Sequence, residues 1–177
     1  VRVTPSMTHA AGGKSVGAAE VHSYADAETP KRIADAHPDI KYAFDTYSMN
    51  GSQETIAGIL TKEEENRIVS ILSVDEARVK QINPKTKATF FILYTVYGKR
   101  TEIFGALFEE DYCKEDAEAL AKVCSGKDGL FYKLLSSGAV KPNRTSVQSG
   151  GFSGMFQGMD AMRQNKVSGE KLVYPHA

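Results

Sequence analysis

Few residues in this 177-residue chain have the types and spacing that chemistry needs. Ser6 lies in a turn with Pro5, Thr8 and His9, and Lys14 follows near the end of the next helix. A hydroxyl and a cation together suit a phosphate dianion, which wants donors and positive charge. The same pair also reads as structure alone, with Ser6 capping a helix and Lys14 on a solvated face. Asp45 closes an apolar run. It is either a catalytic carboxylate or a strand-end residue holding neighbouring backbone amides, and the second role is the expected one. His9, His22, His37 and His176 are scattered and show no metal spacing. Cys113 and Cys124 have no neighbouring His pair, so a Cys-rich structural zinc site is not available. No GxSxG elbow and no Walker motif appear.

The elements that must position these residues alternate between strand and helix. Val1–Thr4 is a short β-prone run. A helix follows it and ends near Val16, with Gly17 where a C-cap needs positive φ, and Glu20–Tyr24 reads as the next strand. Ala27–Ala36 reads as a helix stopped around Pro38, and Lys41–Thr46 as a strand with Asp45 at its carboxyl end. Asn50-Gly51 marks a turn. Ile56, Ile59 and Leu60 give helical spacing to Ser52–Leu60. The β-branched run Arg67–Leu72 reads as a strand buried in a parallel sheet. Val74–Thr86 is polar and irregular. Ala88–Val96 reads as a further core strand, followed by the basic turn Tyr97–Arg100.

The carboxyl-terminal third is mostly helical. Glu109–Cys124 is acidic at its start and rich in strong helix formers, and Gly126 and Gly129 break it before Leu130–Ser136. Gly150-Gly151 opens a helix through Met162 or Arg163. Phe152, Met155, Phe156, Met159 and Met162 recur on it at helical spacing, a soft apolar stripe. Core packing is its expected use; an acyl-chain groove or a partner surface are the alternatives. A turn and a last strand end at Val173.

Composition bounds the function classes. Hydrophobic residues are 41% and charged residues 25%, ordinary values for a soluble domain with a real core. The 22 basic and 22 acidic residues cancel, so bulk charge calls for neither nucleic acid nor an anionic membrane. No run approaches a transmembrane helix, and no secretory leader is visible. The two cysteines lie too far apart along one helix for a disulfide, roughly 16 Å. Reduced thiols and a cytoplasmic location are expected.

Four blocks carry a family resemblance: KSVGAAEVHSY at Lys14–Tyr24, IKYAFDTYS at Ile40–Ser48, NRIVSIL at Asn66–Leu72, and Gln148–Val173. In this order and spacing the chain resembles the coenzyme domain of medium-chain dehydrogenase/reductases, in particular the fungal trans-acting enoyl reductases that partner polyketide synthases. The resemblance runs from about Val3 to Val173 and covers only the second half of that family. It implies an α/β fold, a Rossmann-like parallel sheet with helices on both faces. Residues 1–147 would form a truncated coenzyme domain and 148–177 a C-terminal helix and return strand.

The resemblance also implies a cofactor, NADPH, and no metal. Ser6, Lys14 and Tyr24 align with the residues that hold the 2′-phosphate. Read without it, Tyr24 is a half-buried strand end. No acidic residue stands there to favour NAD. Ser70, Ile71 and Leu72 fall beside the nicotinamide, Lys171 near the cofactor's phosphates, and the Tyr97–Arg100 loop near ring and acyl substrate. That loop reads equally as a solvated turn.

One motif is missing. No Gly-rich turn follows a first strand, and Gly12-Gly13 comes after the wrong strand. That turn aims backbone amides and a helix N-terminus at the pyrophosphate. The first strand itself, central in the sheet order, is absent too. The chain is then a fragment, or the sheet closes up with its second strand on its fourth, or another chain supplies the strand, as in a homodimer.

The functional expectation is kinship to an NADPH-dependent enoyl reductase of polyketide biosynthesis, incomplete as it stands. It would act on a polyketide intermediate or product beside its synthase. The alternative is a repurposed member without redox chemistry, either a pericyclase-like polyketide cyclase or a non-catalytic synthase partner docking through the tail helix.

Overall fold

The computed structural model describes residues 2–3, 10–15, 17–103 and 105–175, with side-chain burial from Gly13 onward. Its centre is a parallel three-stranded sheet: β3 (Tyr42–Asp45), β4 (Asn66–Ser70) and β5 (Thr86–Phe90), in the order β3-β4-β5. Tyr42 pairs with Arg67, and Arg67 with Lys87. Two crossover helices join these strands, α3 (Ser52–Ile59) and α4 (Glu76–Ile82). Parallel neighbours need such crossovers, so the mixed α/β reading with a parallel sheet holds.

Strand alternation decides what the sheet buries. Ile68 and Ala88 point to the helix side and form the core with Ala57, Leu60 and Val79, with Ala43 packed against them. A polar brace ties this core to its loops. The Asn83 amide lies within 3.3 Å of the carbonyls of Ala57, Leu60 and Thr61, and the Asn66 amide donates to Thr61 O at 2.7 Å. On the other side of the sheet Tyr42 is 78% and Phe44 59% exposed.

Before this sheet, β1 (Arg2–Val3) and β2 (Glu20–Val21) pair in parallel around α1 (Ala10–Ser15). Gly17 has the positive φ expected of a C-cap, +95°. Pro30 sits in the first turn of α2 (Thr29–Ala36), where its missing N–H costs nothing. Among the described residues no ladder joins β1 or β2 to β3. Among the described residues, then, the second strand is not paired with the fourth.

Three local expectations change. Val74–Thr86 is not irregular: Asp75 caps α4 by accepting from Arg78 N at 3.1 Å, and Val79 anchors it in the core. The run Ala88–Val96 is not one strand. β5 begins at Thr86 and ends at Phe90, and Leu93–Tyr97 winds into a 3-10 turn. Buried Thr95 holds that turn, its hydroxyl 2.8 Å from Ile92 O and 2.6 Å from Asp116 of α5 (Glu110–Val123), and tertiary packing overrides β propensity there. Residues 101–108, given no element above, contain an antiparallel pair, β6 (Thr101–Ile103) and β7 (Ala106–Phe108). Cys113 and Cys124 are both free thiols, as expected.

After α6 (Leu130–Ser136) the chain ends in a βαβ unit: β8 (Thr145–Val147), α7 (Gly151–Arg163) and β9 (Lys171–Val173), with β8 and β9 parallel. The buried residues of α7 are Gly154 and Gly158, which lie against Tyr174 and Leu172. The Phe and Met stripe is not core. Phe152, Phe156 and Met162 are 66%, 70% and 53% exposed, because the helix turns its glycine face to the strands.

Candidate functional site

In open parallel sheets, ligands bind beyond the carboxyl ends of the strands. Here β3 and β4 end side by side at Asp45 and Ser70. Asp45 is 4% exposed and organises the loop that follows. Its Oδ1 accepts from Tyr47 N at 3.0 Å and Ser48 N at 2.9 Å, and its Oδ2 from the Ser52 hydroxyl at 2.6 Å. The Ser48 hydroxyl donates to Asp45 O and accepts from Ile71 N at 3.1 Å. Ser48, Asn50 and Gly51 all have left-handed φ, +56°, +54° and +77°, so the loop is backbone-strained. Asp45 thus holds the backbone amides and a hydroxyl of the loop that follows it, as the strand-end reading expects.

This loop and the start of α4 enclose a cleft of about 540 Å³. Ser48, Ser52, Gln53, Glu54, Asp75 and Glu76 are among its lining residues. Arg78 stands 3.9 Å from Glu54 and 3.3 Å from Asp75, and Lys80 3.0 Å from Glu76. The lining itself includes no lysine or arginine. It offers hydroxyls and carboxylates, suited to ligand hydroxyl or amide groups and not to a phosphate.

The residues singled out in the sequence are dispersed. Ser70 lies fully buried on the helix side, its Oγ without a hydrogen-bond partner among the described residues. Ile71 and Leu72, 39% and 37% exposed, present a small apolar surface just beyond β4. The Ile71 amide is already taken, by Asp45 O and the Ser48 hydroxyl. Lys14 is exposed in the last turn of α1. Tyr24 is 71% exposed rather than half-buried, since β2 ends at Val21. Lys171 is exposed at the start of β9. Ser6 lies outside the described residues. Among the described residues no hydrogen bond links Lys14, Tyr24 or Lys171 to the Asp45 cluster. Tyr97 is 73% exposed, and Arg100 approaches Glu109 at 3.7 Å, as in a solvated turn. Ser48 and Ser52 escaped the sequence reading. Their signal is the run Asp45-Thr-Tyr-Ser-Met-Asn-Gly-Ser52, an aspartate ahead of a turn with two hydroxyls in reach. Among the described residues no three His, Cys, Asp or Glu side chains gather to hold a metal ion, and no helix is long and apolar enough to cross a membrane.

No protein-family model matches the chain. Among curated proteins, the trans-enoyl reductase caaB of Aspergillus niger is 27% identical over 172 residues, 97% of this chain and 45% of its own length. The trans-enoyl reductase pvhC of Talaromyces variabilis is 26% identical over 163 residues, 92% of this chain and 44% of its own. BOA5 of Botryotinia fuckeliana, also a trans-enoyl reductase, is 33% identical over 98 residues, 55% of this chain and 25% of its own. Among solved structures, the CurF ER cyclopropanase from the curacin A biosynthetic pathway superposes with a TM-score of 0.63 at 15% identity. It covers 97% of this chain and 46% of that one. The CurK enoyl reductase gives 0.61 at 16%, with the same coverages. These identities speak for the fold alone. The chain spans less than half the length of the relatives that match nearly all of it. By sequence the chain is similar to fungal trans-enoyl reductases over nearly all of its length, and its fold is similar to that of the solved CurF and CurK domains.

Proposed function

We propose that the chain is the coenzyme-domain portion of a trans-acting enoyl reductase that uses NADPH to reduce an α,β-unsaturated polyketide thioester made by a partner synthase. The observation that carries this reading is the match to trans-enoyl reductases over 97% of the chain. Residues 1–147 hold the coenzyme-domain elements, and 148–177 the tail helix and return strand. A cytoplasmic location accompanies the reading.

The residues present fit the two ends of the dinucleotide and not its middle. Lys14 and Tyr24 are exposed donors free to meet a 2′-phosphate, and Ser6 is assigned as the third from the sequence alone. Ile71 and Leu72 supply apolar surface that excludes water from the ring's face. Lys171 is exposed and free to approach the phosphates. For the pyrophosphate there is no Gly-rich turn, and the β3–β4 cleft holds no cation. NADPH, when bound, supplies the hydride that adds to the substrate's β-carbon. The chain's own part is placement: Asp45, Ser48 and Ser52 fix the loop on which substrate and ring would align. The missing pyrophosphate contacts are assigned to a further segment or to a second copy of the chain.

The exposed stripe of α7 favours a second reading, a non-catalytic synthase partner docking through that helix. Calorimetry with NADPH on this chain, beside Lys14→Ala, decides between them. Micromolar binding weakened by the substitution is expected. No binding at millimolar nucleotide removes the reductase reading and sends the work to docking and cofactor-free cyclisation assays.

A further inference from the structure

We propose that the open face of the three-stranded sheet carries a second anion site, separate from any dinucleotide site, that takes a phosphate monoester bearing a planar group. The register fixes the geometry. Tyr42 stands opposite Arg67, and Arg67 opposite Lys87, so the three form one row across β3, β4 and β5. Strand alternation puts this row on the face away from α3 and α4, because Ala43, Ile68 and Ala88 take the core side. All three side chains are exposed, and with Lys80 and Lys85 they line a cavity of about 660 Å³.

Charge is the reason to read this row as a site. Like charges directly opposite on adjacent strands are destabilising. Of the other cations that line the cavity, Lys80 meets Glu76, and Lys85 Nζ donates to the backbone carbonyl of Glu63. Arg67 and Lys87 have no ion pair among the described residues. Glu65 also lines the cavity, yet neither cation lies within 4.0 Å of it. The two cationic side chains leave neighbouring strands about 4.8 Å apart, within reach of one phosphate, whose oxygens can accept from the guanidinium fork and the ammonium together. The Tyr42 ring, 78% exposed beside Arg67, offers a face on which a planar substituent stacks. Arg67 and Lys87 are each the second residue of their strand and Tyr42 the first. The row thus sits at the amino ends of the strands, opposite the cleft at Asp45 and Ser70, and does not rest on the NADPH reading.

The test is calorimetry of the 177-residue chain in phosphate-free buffer, with phenyl phosphate and inorganic phosphate as probes. Saturable 1:1 binding of phenyl phosphate is expected. Arg67→Gln and Lys87→Gln should each weaken it about tenfold, Arg67→Lys much less, and Lys14→Ala not at all. Tyr42→Ala should bring phenyl phosphate down to the affinity of inorganic phosphate. Thermal melting adds a readout independent of affinity. Relief of the like-charge contact should leave the Tm of Arg67→Gln unchanged or raised, and phenyl phosphate should raise the Tm of the wild type and of Lys14→Ala alike and that of Arg67→Gln much less. The proposal is overturned by an absence of saturable binding at millimolar probe, by equal weakening in Lys14→Ala, or by a Tm loss in Arg67→Gln with binding intact.

Discussion

At the scale of single residues, Asp45 and Ser70 end neighbouring strands and have opposite fates. Asp45 is buried with two backbone amides and a hydroxyl on its carboxylate. Truncating it strands those donors, so Asp45→Ala should cost about 3 kcal/mol in urea unfolding. The buried Ser70 hydroxyl has no partner among the described residues. Ser70→Ala removes an unsatisfied group and should be neutral or stabilising by up to about 1 kcal/mol. A loss above that would mean the hydroxyl has a partner in solution. Asp26 illustrates the surface case. The hydrogen bond from Arg32 holds its carboxyl below the ordinary 3.8, aided by the Glu28 amide. A depressed carboxyl stabilises the fold above the unfolded-state value, and that contribution is lost as pH falls through the folded-state value. An NMR titration should place Asp26 below 3.8, and Arg32→Gln should bring it back toward 3.8. Asp45 was legible in the sequence as a strand-end aspartate. Its serine partners were not, because left-handed turns at Ser48 and Asn50 bring them to it.

At the scale of elements, α7 shows how a poor helix former earns its place. Glycine costs a helix interior about 1 kcal/mol relative to alanine, and α7 contains Gly154 and Gly158 one turn apart on one face. A Cβ at Gly158 would overlap the Tyr174 hydroxyl and stand 2.8 Å from Cζ. At Gly154 it would run into the Ser149 carbonyl, a backbone atom that cannot swing away. Gly158→Ala should therefore destabilise the β8–α7–β9 unit by about 1–3 kcal/mol, with rescue by Tyr174→Ala, while Gly154→Ala finds no such rescue. Hydrogen exchange should localise both effects to residues 145–173 and spare β3, β4 and β5. The helices α2, α3, α5 and α7 were legible from periodicity and breakers. α4 was missed although Asp75, Glu76 and Val79 spell its cap, first turn and buried anchor. The 3-10 turn at Leu93–Tyr97 was not legible, since its cause is Thr95 meeting Asp116 from a distant helix.

At the scale of the whole molecule, the chain leaves much apolar surface uncovered. Phe44 and Phe91 stack 6.0 Å apart at the open sheet, 59% and 44% exposed, and the α7 stripe stands clear of the core. Patches of this kind mark contacts with other surfaces. With no net charge to keep copies apart, sedimentation should show concentration-dependent association, reduced by Phe152→Ser with Phe156→Ser. A strictly monomeric chain at high concentration contradicts this. The sequence by itself determined the alternation of strands and helices, the free cysteines and the similarity to trans-enoyl reductases, because periodicity, breakers and ordered motifs are local features. Only the tertiary structure decided that no ladder joins β1 or β2 to β3 among the described residues, that the Met and Phe stripe faces outward, and that Arg67 and Lys87 stand side by side. Those facts depend on which strand lies against which and in what register, and residues far apart in the chain settle that together.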